Sequence, residues 1–276
     1  DLPMSQRFQV GICQIKVVDD KALNLASAGR MVEEAARKGC RLAVLPEMFN
    51  CPYSNHHFPH YAENIPAGQT AAMLADLAAQ HRIYLVGGSI PERDQQGRIF
   101  NTSLVFDPSG MLIAKHRKLH LFDIDIPDRI VFKESNTLSP GNKVTTFPTD
   151  FGLMGLGICY DLRFPELTRL MTMQGATTII YPAAFNTVTG PDHWQLLLRS
   201  RALDNQVYVI GAGPAYNGEA TYHAYGHSMA ADPWGRVIAE TGSEEALLSF
   251  EIDLDVITRI REELPLLKHR RPELYK

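Results

Sequence analysis

The chain has 276 residues, 27 basic and 31 acidic side chains, and a formal net charge of −4. With 45% hydrophobic and 21% charged residues, its composition is that of an ordinary globular protein, which excludes general disorder and allows a substantial core. No global field favours nucleic acid or an anionic membrane, and no apolar run approaches the ~18 residues needed to span a bilayer.

In chain order, Asp1 to Arg7 lack an apolar signal core, and Met4 reads as a native start behind a short remnant. Val10–Gln14 follows as an apolar strand. Leu25, Ala28, Val32 and Ala35 keep helical spacing, and Gly39 supplies the stop. Leu42–Leu45 is a short apolar strand. Leu74, Leu77, Ala78 and His81 repeat the helical period before the strand Ile83–Val86. Asp107-Pro108-Ser109-Gly110 suits a type I turn between antiparallel strands. Residues 119–150, which mix aromatic and acidic residues with Pro127, Pro140 and Gly141, read as a long irregular connection of functional kind. After Cys159, Pro165 is placed as a first helical residue. Asp253–Leu264 reads as a helix ended by Pro265. The basic tail beyond it (Lys268, Arg270, Arg271) is expected to be solvated or to cross to a second subunit.

Four matches recur in the same order. Val10-Gly11-Ile12-Cys13-Gln14 resembles Leu156-Gly157-Ile158-Cys159-Tyr160, and Gly39 to Asn50 aligns without gaps on Gly175 to Asn186. Ile83 to Gly87 echoes Val207 to Gly211, and Asp107-Pro108-Ser109-Gly110 matches Asp232-Pro233-Trp234-Gly235. Two halves of similar topology follow, roughly 8–118 and 153–242, each with helices on one face of its sheet. The bare faces are most simply covered by each other. The expected fold is an α/β α-β-β-α sandwich around a pseudo-twofold axis. It forms one domain over residues 1–276, with 119–150 as a linking lid and 253–276 as C-terminal helix and tail.

Cys13, Cys40, Cys51 and Cys159 show no C-x-x-C spacing and read as reduced thiols in a reducing compartment. Cytoplasmic location is expected, with a removed organelle-targeting segment left open. Cys159 falls in a strand-to-helix turn, which presents a side chain at the open end of a sheet where backbone amides favour a thiolate. The competing reading is inert packing, and Cys13, the matching residue in the first half, takes that reading because its strand continues. Glu47 follows Leu45-Pro46 at a strand end, either solvated or buried with a shifted pKa. Its counterpart in the second half is Ala183, so the repeat does not demand an acid there. Lys118, in Lys115-His116-Arg117-Lys118-Leu119-His120, is either surface charge or a cleft cation that stabilises an oxyanion. Glu134 carries the same ambiguity.

Leu-Pro-Glu47, Lys-His-Arg-Lys118-Leu-His and Gly-Ile-Cys159-Tyr-Asp-Leu-Arg-Phe resemble the three signature regions of the nitrilase superfamily of carbon–nitrogen hydrolases, over essentially the whole chain. The resemblance implies a Glu47, Lys118 and Cys159 triad, assisted by Glu134, in an α-β-β-α sandwich that is a homodimer or larger. It implies no metal and no organic cofactor. Phe49 to Tyr53, His120 to Pro127, Ala184 to Trp194 and Asp204 to Tyr208 are most similar to the omega-amidase branch. His56-His57 departs from it. That branch implies hydrolysis of the terminal amide of 2-oxoglutaramate or 2-oxosuccinamate through a cysteine thioester. It also implies an oxyanion site from Lys118 and the Tyr160 backbone N–H, and pocket walls from Tyr53 and Phe185. Arg163 matches the position that binds the substrate's distal carboxylate, a task suited to its planar fork. Its bland alternative is a structural salt bridge, and for Tyr53 and Phe185 it is core packing. The expected partner is thus a small amide carrying a carboxylate, with no nucleic acid and no membrane. Alternatives are a sibling amidase acting on deaminated glutathione or N-carbamoyl amines, and an inactive scaffold that kept the fold. A metal module on His56, His57 and His60 makes a poor cage, and a Cys-His peptidase lacks its usual local signature.

Overall fold

The computed structural model describes residues 6–275, so the reading of Met4 and its neighbours lies outside the described residues. The first half runs β1 (Arg7–Gln14), α1 (Lys21–Arg37), β2 (Cys40–Val44), α2 (Phe58–Tyr61), α3 (Gln69–His81), β3 (Tyr84–Val86), β4 (Ile90–Arg93), β5 (Ile99–Phe106) and β6 (Leu112–Arg117). A hairpin, β7 (Asp123–Ile126) with β8 (Ile130–Lys133), then leads to β9 (Thr145–Thr149). The second half runs β10 (Gly152–Leu156), α4 (Pro165–Met173), β11 (Thr178–Pro182), α5 (Gly190–Asn205), β12 (Tyr208–Ala212), β13 (Met229–Ala231) and β14 (Val237–Glu240). The strand β15 (Ala246–Asp253) and helix α6 (Asp255–Glu263) follow.

Two sheets result, ordered β15-β1-β2-β3-β5-β4 with β6 on β5, and β14-β13-β12-β11-β10-β9. In each, three parallel strands are flanked by an antiparallel hairpin on one side and an antiparallel edge strand on the other. The parallel strands are buried on both faces, which accounts for their continuous apolar runs. One face of each sheet packs on the other: Val10, Ile12, Leu42, Val44 and Val86 share a core with Met154, Leu156, Ile180 and Ile210. The opposite face of the first sheet carries Cys13, Ala43 and Leu45 against Leu25, Ala28 and Val32 of α1 and Leu74 and Ala78 of α3. The second sheet turns Ile179, Tyr181 and Val209 onto Leu167 and Met171 of α4 and Trp194 and Leu198 of α5. The fold is an α-β-β-α sandwich.

Both D-P-x-G turns close hairpins in the same way. Gly110 N–H donates to Asp107 O and Gly235 N–H to Asp232 O, each at 2.9 Å. Each aspartate side chain also accepts two N–H groups of its own turn. The glycines sit at φ +82° and +80°, the left-handed position that finishes this turn before a bulge.

Three expectations need correction. Residues 119–150 are not irregular throughout: they hold the β7–β8 hairpin, and β9 pairs with β10 as the outer strand of the second sheet. Phe147 is fully buried there, while Pro148 is tolerated because β9 is an edge strand. Residues 246–253, not singled out in the sequence, form β15 on the matching edge of the first sheet. The Cys13–Cys159 equivalence is also two residues out of register. Ile12 pairs with Val44 and Leu156 with Ile180, so Leu156 matches Ile12, and Cys159 matches Ile15. A two-residue slip keeps each side chain on its own face, so the apolar pattern could not expose it. The basic tail turns back over the chain's own helices: Arg270 reaches Met173 Sδ of α4 at 3.4 Å.

Candidate active site

The C-terminal ends of β2, β6 and β10, with the turn after β8 that carries Glu134, bring four of the singled-out side chains together. Glu47 lies three residues beyond β2. Gly88 (φ +55°) lets the neighbouring loop approach so closely that a Cβ there would meet Pro46 O at 2.1 Å. Ser89 completes the hold, donating its N–H to Pro46 O at 3.2 Å and accepting Met48 N–H on its Oγ at 2.9 Å. Lys118 follows β6. Its N–H donates to Asn101 O and its carbonyl accepts from Gly141 N–H, both at 2.8 Å.

The Lys118 ammonium is fully buried and donates to Glu47 Oε1 at 2.9 Å and to Glu134 Oε1 at 2.5 Å. Asn101 Nδ2 donates to Glu47 Oε1 at 2.8 Å, and Phe122 N–H to Glu134 Oε1 at 3.1 Å. The Tyr53 hydroxyl lies between the carboxylates, 2.9 Å from Glu134 Oε1 and 3.3 Å from Glu47 Oε1. Burial pushes the Glu134 carboxyl up, Lys118 draws it down, and the charge of Glu47 pushes it up again. For Lys118, burial favours the neutral amine, but the two glutamates outweigh it and hold the ammonium charged. The second oxygen of each glutamate, Oε2, is buried without a hydrogen-bond partner.

Cys159 opens a 3-10 turn, Cys159–Arg163, between β10 and α4, and takes φ +44°. That left-handed conformation is costly for a side-chain-bearing residue and is typical of a nucleophile held on a tight strand-to-helix turn. Burial first, then the charge of Glu47, push its thiol well up, while Lys118 and the backbone N–H of Ala184 pull it down. Burial and Glu47 together thus favour the thiol form of Cys159. Tyr160 N–H lies in the first turn, where no intrahelical acceptor exists.

Asp161, not singled out in the sequence, fixes this turn. Its Oδ2 accepts Ile158 N–H at 2.9 Å and faces His116 Nε2 at 3.0 Å. Its Oδ1 accepts Leu119 N–H at 3.2 Å and His120 N–H at 3.0 Å, and faces His120 Nδ1 at 2.7 Å. Burial alone would raise its pKa, but the histidines and backbone amides hold it down at about 2. The Asp161 carboxylate therefore clamps the Cys159 turn to the residues that flank Lys118.

Arg163 is half-buried beside the turn, its guanidinium 5.0 Å from the Phe185 ring and 6.0 Å from that of Tyr160. It donates to His193 Nδ1 at 3.2 Å and has no carboxylate partner among the described residues, so the structural salt bridge is absent there. Cys159, Tyr160, Arg163, Phe185, Thr189 and Tyr222 line one small cavity. Tyr53 stands at the glutamate side, stacked on Tyr222 with ring centroids 4.5 Å apart. The β7–β8 hairpin contributes Phe132 against both of these rings. His57 is engaged by Ser54 and Asp19, and no group of three or more His, Cys, Asp or Glu among the described residues is arranged to hold a metal.

The fold is that of a carbon–nitrogen hydrolase. The family profile with that description matches residues 9–262, and the chain belongs to this family. It is 50% identical over 269 residues to omega-amidase NIT2 of Xenopus tropicalis, covering 98% of this chain and 97% of the relative. The human omega-amidase NIT2 is 48% identical over 268 residues, 97% of this chain and 96% of the relative. Among solved structures, Saccharomyces cerevisiae Nit3, a member of branch 10 of the nitrilase superfamily, superposes with a TM-score of 0.90 at 46% identity, covering 97% of this chain and 98% of that one.

Proposed function

We propose that the protein is an omega-amidase that hydrolyses the terminal amide of 2-oxoglutaramate and 2-oxosuccinamate to the 2-oxo acid and ammonia. The observation that carries the substrate class is the Arg163 guanidinium, free of any carboxylate partner among the described residues and set at the same small cavity as the Cys159 thiol. A linear amide with a distal carboxylate fills both requirements at once. The similarity to proteins named omega-amidase supports the same reading.

In this mechanism Glu47 takes the thiol proton as Cys159 sulfur attacks the amide carbon. Lys118 and Tyr160 N–H stabilise the oxyanion that forms, a type of interaction worth ~10²–10³ in rate per donor. Glu47 returns the proton to the leaving nitrogen, ammonia departs, and a thioester remains. Glu134 and Tyr53 hold Lys118 and Glu47 in register. Water activated by Glu47 then releases the acid. We also propose that the chain works as a homodimer, supported by the exposed leucines of α4 and α5, Leu170, Leu196 and Leu203.

The test is ammonia release from 2-oxoglutaramate, N-carbamoyl-β-alanine and deaminated glutathione by the parent, Cys159→Ala and Arg163→Ala. The expected result is turnover of 2-oxoglutaramate, its loss in Cys159→Ala, and a KM raised about 100-fold in Arg163→Ala. Activity confined to another substrate would discard the pocket assignment. Turnover surviving Cys159→Ala would overturn the mechanism.

A further inference from the structure

A second and larger cavity, about 290 Å³, reaches the same glutamate. Glu47 forms part of its wall, and Asp19, His57 and Glu219 stand among its lining groups. Tyr222 and Ala184 line both this cavity and the small one at Cys159, so they form the partition between the two. Tyr222 is pinned in that place by donating its hydroxyl to Ala184 O. Its ring packs on Tyr53, and the charges of both Cys159 and Glu47 act on its hydroxyl.

We propose that this larger cavity is the passage by which water reaches the Cys159 thioester and ammonia leaves, separate from the pocket that holds the acyl chain. The inference rests on the reading of Cys159 as nucleophile and Glu47 as base. Once the acyl group is bound between Cys159 and Arg163, the small cavity there has no room left for water. Hydrolytic water needs another approach, and it needs one that ends at the base. Glu47 lines the larger cavity, and its Oε2, buried and without a hydrogen-bond partner, is left to accept a proton from water that arrives there. Asn217 and Thr221 supply further polar contacts along the way. The carboxylates of Asp19 and Glu219 favour escape of ammonia as ammonium.

The step balances within these groups. The water oxygen bonds to the thioester carbon as one of its protons passes to Glu47. The C–S bond then breaks and that proton returns to the Cys159 sulfur, giving the carboxylic acid and the thiol.

Narrowing the passage tests this without touching the reacting groups. Half-buried Ala220 and buried Ala215 line the larger cavity, and Ala220→Leu and Ala215→Val fill part of it by independent routes. Total ammonia formed in a single turnover, measured after acid quench with enzyme in excess so that ammonia still inside the protein is counted, reads thioester formation, while steady-state turnover and the mass of quenched enzyme read thioester hydrolysis. In both variants the single-turnover rate is expected to stay within about two-fold of the parent, steady-state turnover to fall about ten-fold, and acyl-Cys159 to accumulate. Unchanged steady-state turnover in two folded variants would overturn the inference. So would single-turnover and steady-state rates falling together, which would make the cavity the substrate's entrance. Failure of the underlying mechanism has a different sign, namely turnover in Cys159→Ala.

Discussion

Asp161 accepts or faces five hydrogen-bonding groups on two segments, so its charge state controls how the Cys159 turn meets the Lys118 strand end. Its carboxyl is held at about 2 against its usual 3.8, through its partners rather than through burial, which acts the other way. A depressed carboxyl contributes stability above its unfolded pKa and loses it as pH falls through the folded value. The shift corresponds to about 2 kcal/mol, present at neutral pH and lost between about pH 4 and pH 2. Asp161→Asn, with one acceptor oxygen instead of two, is expected to lower unfolding stability by about that amount at pH 7. The gap between variant and parent should close in urea titrations repeated toward pH 2; a gap independent of pH would show that the charge is not what matters. Glu47, Lys118, Glu134 and Cys159 were legible in the sequence because each sits in a distinctive local run. Asp161 carried only the weak signal of an acid two residues past the cysteine. Tyr222 carried none, since its place between two cavities depends on contacts distant in sequence.

At the scale of elements, the site depends on where strands stop and how tightly loops close over their ends. A Cβ at Gly88 would meet Pro46 O at 2.1 Å, with φ at +55°, so Gly88→Ala must displace the segment that carries Glu47. Gly97 provides the control: it has φ +81° but open space around its Cβ position. Gly97→Ala is expected to cost about 1 kcal/mol from backbone conformation alone and to leave turnover near the parent's. Gly88→Ala is expected to cost about 2–4 kcal/mol and at least about ten-fold in kcat, read from thermal melts and ammonia release on the same preparations. Equal effects of the two changes would show that strain, not the fit against Pro46, is what Gly88 relieves. Elements with a clear period or turn signature, α1, α3 and the two D-P-x-G hairpins, were readable in the sequence. The edge strands β9 and β15 were not. An edge strand is half-exposed, and for β15 the partner lies in a distant part of the chain, so little of its pairing is written locally.

At the scale of the whole molecule the two outer helix layers differ. On α1 and α3 the large exposed apolar side chain is Leu23. The α4–α5 layer exposes Leu170 and Met173, each at 51%, Leu196 at 63% and Leu203 at 49%, with Leu274 and Tyr275 of the tail also exposed. Several large exposed apolar side chains on one helix layer, against one on the other, point to that layer as an interaction face. Helices presenting the same patch on each copy suit a twofold contact, in which a residue on one subunit meets the partner's face and the reverse holds by symmetry. Leu196→Glu places two charges near each other in every such contact, one from each copy, where apolar surface would otherwise be buried. The parent is expected to sediment as a dimer of the 30.8 kDa chain and Leu196→Glu as a monomer at micromolar concentration. Leu23→Glu, on the opposite layer, should leave the dimer intact. Because β11, α4 and the Cys159 turn form one packed unit with α5, the monomeric variant is also expected to melt earlier and to lose turnover in step with dissociation, so activity should recover as protein concentration is raised. A variant that stays dimeric would move the interface to another face. A monomer with full turnover at every concentration would show that the catalytic cluster is complete within one chain.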